Sequence, residues 1–344
     1  MRWWIVPFLA LALVAAPAWP AGKAARPRVY DLIAGGEHDY IVAPGDNLWA
    51  ITGRFTMNRA LLQSWNDLPD PDALRPGMHL RVSNRHIVPR RGTDGIVIDV
   101  AVRTLYWFQK GALRARFPIG VGRTDWATPP GHYRIVGRRE DPVWRVPPSI
   151  QAEMRAQGEK VVREVPPGPD NPLGKYWVQL SAPGYGLHGT NAPASIGKYA
   201  SHGCMRLLPE HVELLYREAR DGTPVDIIYE PVKLARDASG RVYLEVHRDV
   251  LGAKQSELPA VLDFIEAARL SEAVDATRVV EAVTRAWGMP EDVSRDPPAD
   301  PSAVPVGLGE RPETLSRVGT HTSVWRRWIV RRPCRGRRSR RGKR

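Results

Sequence analysis

Two stretches hold the residues best suited to chemistry: Leu187-His188-Gly189-Thr190-Asn191 and Ser201-His202-Gly203-Cys204-Met205-Arg206-Leu207. One cysteine stands beside a glycine, with two histidines shortly before it. The thiolate is the reactive form of cysteine, and a nearby imidazole is the usual means of generating it at neutral pH. His202 and Cys204 are two positions apart. On an extended backbone they share a face, but their Cβ atoms then lie about 7 Å apart. Contacts across paired segments are closer, which favours His188 as the direct partner of Cys204, with His202 shaping the pocket. Three other readings compete. His188, His202 and Cys204 are acceptable zinc ligands. Cys204 and Cys334, the chain's two cysteines, could form a disulfide in an exported protein, although Cys334 lies in an arginine-rich run with no core to hold it. The third reading is an inert core thiol, which the polar, glycine-flanked context argues against.

The elements that must position these residues read as mainly β over 94–229. Ile96, Ile98 and Val100 alternate, and Leu105, Trp107 and Phe108 follow after a short turn, as in a hairpin. Further strand-like runs are 116–122, 132–136, 177–180 and 225–229. One amphipathic helix follows the cysteine, over 210–220, with Val212, Leu215, Tyr216 and Ala219 on one face and Gly222 closing it. Residues 38–83 look like a separate unit. Tyr40 and Val42 alternate, Pro44-Gly45-Asp46-Asn47 turns into a helix carrying Leu48, Ile51 and Phe55, and a second helix carries Leu61, Leu62 and Trp65. A final strand holds Leu80 and Val82, so the order is strand, helix, helix, strand. Residues 19–37 read as a linker. Residues 230–293 continue with a strand (Val242, Leu244, Val246) and two helical runs, 258–270 and 276–287.

Both ends differ from the body. Met1-Arg2 followed by an uncharged apolar run to Ala16 and by Ala16-Pro17-Ala18 reads as a signal peptide over 1–18, cleaved after Ala18. Such a protein works outside the cytoplasm, in the periplasm. The chain's 344 residues carry a formal charge of +13, but residues 324–344 hold ten Arg, one Lys and no acid, which leaves the body near +2. The basicity therefore belongs to the tail, and the body is no nucleic-acid-binding surface by composition. Residues 294–344 read as Pro-rich and then basic, unable to bury enough apolar area to order, with anionic surfaces as the only partners their charge suits. Two cysteines exclude a disulfide scaffold and any four-cysteine metal site.

Particular runs resemble known families. Tyr40-Ile41-Val42, Pro44 to Ile51, Trp65-Asn66 and Leu74 to Leu80 resemble the LysM module, which implies binding to N-acetylglucosamine-containing glycans such as peptidoglycan, with sugar contacts on the loops 45–47 and 66–70. His188 with Ser201-His202-Gly203-Cys204 resembles the signature of the L,D-transpeptidase (YkuD) catalytic domain. Supporting runs are Ala127 to Ile135, Asp141 to Ile150 as a segment over the substrate groove, and Gly222-Thr223-Pro224-Val225 as a last strand. Residues 231–247 and 286–290 resemble the C-terminal extension of the ErfK/YbiS/YcfS/YnhG group. The fold expected is a mainly β catalytic domain, a mixed sandwich or barrel with one helix after the nucleophile, plus a small βααβ LysM module.

The resemblance implies attack on the bond between meso-diaminopimelate and D-alanine in a peptidoglycan tetrapeptide, an acyl-thioester on Cys204, and transfer to an amine. The amine belongs to another stem, giving a 3→3 cross-link, or to a lysine of an outer-membrane lipoprotein. No cofactor and no metal are expected. Cys204 is the nucleophile and His188 its base. Gly189 is expected to orient the imidazole, the amides of Gly203 and Cys204 to receive the oxyanion, and His202 to support from behind. Arg206 would hold a substrate carboxylate or, in a structural alternative, form an ion pair. Thr190 and Asn191 are assigned to substrate binding, and Tyr176 and Trp144 to groove walls. Two other classes remain: a hydrolase of the same bond, and a wall-binding protein whose function rests on the LysM module.

Overall fold

The computed structural model describes residues 28–70, 73–90 and 94–296. The expected signal segment and the basic tail with Cys334 lie outside the described residues. Among those described, no helix is long and apolar enough to cross a membrane.

The chain opens with β1 (Val29–Tyr30), β2 (Ile33–Ala34) and β3 (Glu37–Ile41), followed by α1 (Leu48–Phe55), α2 (Arg59–Trp65), β4 (His79–Ser83) and β5 (His86–Ile87). Strands β3 and β4 pair antiparallel, Tyr40 opposite Leu80. Each helix starts on an asparagine whose side chain accepts from the first-turn amides: Asn47 from Ala50, Asn58 from Ala60 and Leu61. Such caps satisfy donors that the helix itself leaves open. The apolar spacing seen in the sequence closes over Leu48, Ile51, Leu61, Leu62, Leu80 and Val82, all buried. The βααβ module is therefore as expected. The linker expected over 19–37 is not one where it is described. Val29 pairs with Leu234, and Ile33 with Ile87. Two-residue strands carry no periodicity, so the sequence could not show them.

The central domain contains β6 (Gly95–Asp99), β7 (Thr104–Gln109), β8 (Ala112–Pro118), β9 (Val121–Gly122), β10 (Gly131–Glu140), β11 (Trp144–Arg145), α3 (Pro148–Ala156), β12 (Glu164–Val165), β13 (Tyr176–Leu180), β14 (Gly186–His188), β15 (Tyr199–Ser201), β16 (Met205–Arg206), α4 (Pro209–Glu218) and β17 (Pro224–Ile228). Eight strands form one mixed sheet in the order β16-β14-β13-β10-β17-β6-β7-β8. Beyond β8, Gly120 exchanges two backbone hydrogen bonds of 2.9 Å with Arg206 at the opposite edge. The sheet is thereby curled back on itself, around Ile98, Leu105, Trp107, Ile135, Val178, Leu187 and Met205, with Val212 and Leu215 of α4 packed into the same core. All five residues of β6 are buried, because its second face packs with Val88, Tyr106 and Ile228.

The C-terminal part adds β18 (Val232–Arg236), β19 (Val242–Val246), α5 (Leu258–Ala267), α6 (Ala276–Arg285) and β20 (Glu291–Asp292). Its sheet runs β1-β18-β19-β20, and the helices cover one face with Val261, Ile265, Val279 and Ala282. The order continues to residue 296: Ser294 Oγ accepts from the Val242 amide (2.8 Å), and Arg278 pairs with Asp296. The boundary expected at 293 falls three residues short.

Two of the joints between the three parts are a close backbone approach and a buried charge network. Gly53 of α1 lies against the barrel so closely that a Cβ there would meet the Ile196 carbonyl oxygen at 2.3 Å. The buried charge network is the second of these. Lys233 Nζ lies 2.7 Å from Asp99 and 3.2 Å from Glu245. Glu245 also accepts from His86 Nδ1 (3.0 Å), His247 Nε2 (2.7 Å) and the Ile87 amide (2.6 Å). The Thr56 hydroxyl shares a hydrogen bond with His86 Nε2 (2.7 Å).

Candidate active site

Strands β14 and β16 lie side by side and parallel, with Leu187 opposite Met205 and His188 opposite Arg206. Side chains alternate along a strand. Leu187 and Met205 point into the core, so His188 and Arg206 share the other face. Cys204, one step before β16, follows the same alternation and becomes a diagonal neighbour of His188. Diagonal neighbours in a sheet are about 7 Å apart at the backbone and closer at the side chains, within reach of a long or aromatic group.

His188 is buried, and its Nδ1–H donates to the carbonyl of Gly189 at 2.6 Å. This fixes the tautomer and leaves the Nε2 lone pair available. Burial pushes its pKa down to about 4, opposed by the carbonyls of Gly189, Leu173 and Pro172. Cys204 is a free, half-buried thiol that donates to the Gly184 carbonyl at 3.5 Å. Burial pushes this thiol up to about 11, opposed by the Gly186 N–H and the charge of Arg206. At neutral pH the resting pair is therefore neutral thiol and neutral imidazole.

The loop between them is tightly built. Gly203 adopts φ +102°, and a Cβ there would meet the Tyr185 ring at 2.7 Å. Its N–H donates to Ser201 Oγ (3.1 Å), Ser201 donates to the Cys204 carbonyl (2.5 Å), and Thr128 donates to the Gly203 carbonyl (2.8 Å). This corrects the oxyanion expectation for Gly203: its amide is engaged, and the glycine serves by its conformation. Gly203→Ala should leave the core folded while slowing acylation at least tenfold, because the left-handed backbone and the Tyr185 contact together cost about 1–3 kcal/mol at the nucleophile's neighbour. Acylation rate and unfolding midpoint measured on one preparation check this.

His202 is held elsewhere. Its Nε2 lies 2.5 Å from Glu153 of α3, and its ring packs edge-on against Trp126. Glu153 also pairs with Arg123 at 2.9 Å. Among the described residues, the histidines and the cysteine do not gather as metal ligands; the group that converges is His86, Glu245 and His247. Arg206 is half-buried beside Cys204 and makes no ion pair among the described residues, so the structural-pair alternative has no partner. Thr190 is buried, and its hydroxyl accepts from the Ala192 amide (2.9 Å), which makes it a turn residue. Asn191 is exposed in that turn. Tyr176 is buried in the core beside Tyr216, not a groove wall, and Trp144 is paired in β11 with Val165.

Three neighbours were missed in the sequence. Trp177 stacks on the His188 ring with centroids 5.8 Å apart and covers Gly186, whose missing Cβ makes room for the indole. Tyr185 lies against Gly203, and Glu153 braces His202. The alternation of Trp177 with Tyr176 and Val178 was visible, but its partner across the sheet was not.

In the LysM module, Asn66 is consumed structurally: it bonds the Leu62 and Arg81 carbonyls and the Arg81 amide. Asp46 accepts from Ala43 N at 2.8 Å.

Residues 93–227 match the YkuD family, described as the L,D-transpeptidase catalytic domain, and residues 40–83 match the LysM domain. The chain is 32% identical over 300 residues to the probable L,D-transpeptidase YcfS of Escherichia coli K12, covering 83% of this chain and 92% of that protein. It is 34% identical over 245 residues to the probable L,D-transpeptidase ErfK/SrfK of Salmonella typhimurium LT2, covering 67% and 77%. A solved L,D-transpeptidase from Mycobacterium smegmatis is 14% identical, covering 60% of this chain and 96% of that one, with a TM-score of 0.33.

Proposed function

The chain belongs to the L,D-transpeptidase family, and on that premise we propose that it is a periplasmic peptidoglycan L,D-transpeptidase with Cys204 as nucleophile. The observation that carries the reading is the pairing of β14 with β16, which sets Cys204 diagonal to a buried His188 whose Nδ1–H is tied to a carbonyl.

The sulfur of Cys204 attacks the carbonyl at the L-centre of meso-diaminopimelate. Its proton passes to His188 Nε2 as the bond forms, because neither group is ionised at rest. Collapse of the tetrahedral intermediate breaks the amide bond, the proton on Nε2 goes to the nitrogen, and D-alanine leaves. The thioester is then attacked by an amine of a second stem or of a lipoprotein lysine. His188 takes the amine's surplus proton and the thiol is restored. Arg206, cationic and without a carboxylate partner among the described residues, is suited to the donor stem's carboxylate. The LysM module holds the glycan strand, so the enzyme works on a tethered substrate.

The test is mass spectrometry of the full chain mixed with a disaccharide tetrapeptide. A thioester adduct on the Cys204 peptide with loss of D-alanine, followed by cross-linked dimers, is the expected result. Tripeptide without dimers would instead assign a hydrolase, and no adduct would leave a wall-binding protein.

A further inference from the structure

Where the LysM module, the barrel and the C-terminal part meet, they enclose a cavity of about 470 Å³, within the size range of small-molecule sites. Trp49 and Arg59 come from α1 and α2, Arg103 and Lys198 from the barrel, and Arg248 and Trp287 from the C-terminal part. No Asp or Glu lines it.

Three observations single this cavity out. The first is its charge. The body of the chain is close to neutral, yet four cations converge here, and none pairs with a carboxylate among the described residues. Elsewhere, arginines such as Arg123, Arg241, Arg278 and Arg285 are paired. Like charges gathered in a cleft repel one another and focus a field that draws anions. The second lies beside the cavity: Arg103 carries a buried Nε without a hydrogen-bond partner among the described residues, a cost the fold carries at this junction. The third is Trp49, half exposed on the rim, with the Arg59 guanidinium 4.4 Å and Lys198 Nζ 5.6 Å from its ring centre. A simple anion needs only the cations. A half-exposed indole beside them supplies the apolar platform that the C–H face of a sugar ring covers.

The geometry points to a second saccharide site at this junction, selective for a sugar bearing a carboxylate or phosphate, separate from the thiol site and from the LysM loops 45–47 and 66–70. An acidic glycan bound there would bridge all three parts and hold the strand on a face of fixed orientation to the barrel. This goes beyond the catalytic proposal and uses none of its residues.

The test is NMR on the full chain, following the Trp49 indole N–H resonance, assigned by Trp49→Phe. The probes are the peptide-free disaccharide of N-acetylglucosamine and N-acetylmuramic acid, its methyl ester, N-acetylglucosamine 1-phosphate and inorganic phosphate. Lacking the peptide, the disaccharide does not present the bond that Cys204 attacks. The expected result is a saturable shift with the acidic disaccharide, weakened about tenfold in the ester and in a Lys198→Ser, Arg248→Ser double variant, and weakened by salt. Acyl-enzyme formation on the soluble tetrapeptide should be unchanged in that variant. The sugar phosphate separates the acid sources: tighter binding than the disaccharide assigns a phosphorylated glycan, weaker binding a carboxylated one. Equal shifts with acid and ester would overturn the charge selectivity, equal shifts with inorganic phosphate would overturn the saccharide, and no Trp49 shift with any probe would overturn the site.

Discussion

Cys204→Ala should abolish the acyl-enzyme and lower transpeptidation by at least about three powers of ten, with the unfolding midpoint nearly unchanged. The loss is large because no step of the reaction proceeds without the sulfur, and removal of a covalent nucleophile costs several powers of ten. The fold should survive because the thiol is half-buried and its hydrogen bond to the Gly184 carbonyl is a long one. Residual activity above about one part in a thousand would place the nucleophile elsewhere. A companion measurement tests the protonation state. Burial holds the Cys204 thiol up at about 11 and His188 down at about 4. Alkylation by iodoacetamide in the absence of substrate should therefore keep rising above pH 9. A plateau already reached below pH 7 would mean a preformed thiolate–imidazolium pair and would refute concerted proton transfer.

What the sequence made legible follows from where each signal resides. The LysM module and α4 were readable because their signals are local: apolar positions three and four apart, Asn47 before the first LysM helix, proline and glycine at the turns. The chemistry at Cys204 and His188 was readable because both lie in short runs rich in glycine and histidine. Pairing was not. That His188 sits diagonal to Cys204 depends on the register of β14 against β16, and that Trp177 stacks on His188 depends on β13, ten residues earlier. Helix α3 buries Ile150 alone, so no apolar stripe announced it, and with it Glu153 was lost. Thr190 and Tyr176 were misassigned for a related reason: residue type suggested a role in the groove, while a turn and a core packing site claimed them.

The strand text at 242–246 illustrates the same limit. Val242, Leu244 and Val246 alternate as the buried side of a sheet, which leaves Glu245 on what should be the wet face. In the fold that face is covered as well, because β5 and the barrel pack against it, and Glu245 is fully buried with Lys233 opposite. A charged residue in an alternating strand marks a solvated face only when nothing docks there. The docking partners here, His86 and Asp99, are 159 and 134 residues away from Glu245 and Lys233 respectively.

That buried network sets the second large effect. Lys233→Met should destabilise the chain by about 3–5 kcal/mol at pH 7.5, because it leaves Asp99 and Glu245 as buried carboxylates without their shared ammonium. Desolvation alone would push Glu245 up, yet Lys233 and His86 hold it well below the usual carboxylate range, and Lys233 is in turn held above the usual ammonium range despite its burial. The direction with pH follows. A carboxylate with a depressed pKa contributes stability above its unfolded value and loses it as pH falls through the folded one. Without Lys233 the largest part of that depression is lost, so protonation relieves the buried charge sooner. The gap between wild type and Lys233→Met should therefore be widest near neutrality and shrink on acidification. The wild type also weakens between about pH 6.5 and 4, because burial holds His188, His211 and His247 each down at about 4, so the unfolded chain binds protons first. Urea unfolding at pH 7.5 and pH 5 measures both. The triple variant Asp99→Asn, Lys233→Met, Glu245→Gln, which leaves no charge to compensate, should recover part of the loss at pH 7.5. A single-variant loss below about 1 kcal/mol there would mean that water reaches the network and that the three parts are not welded by it.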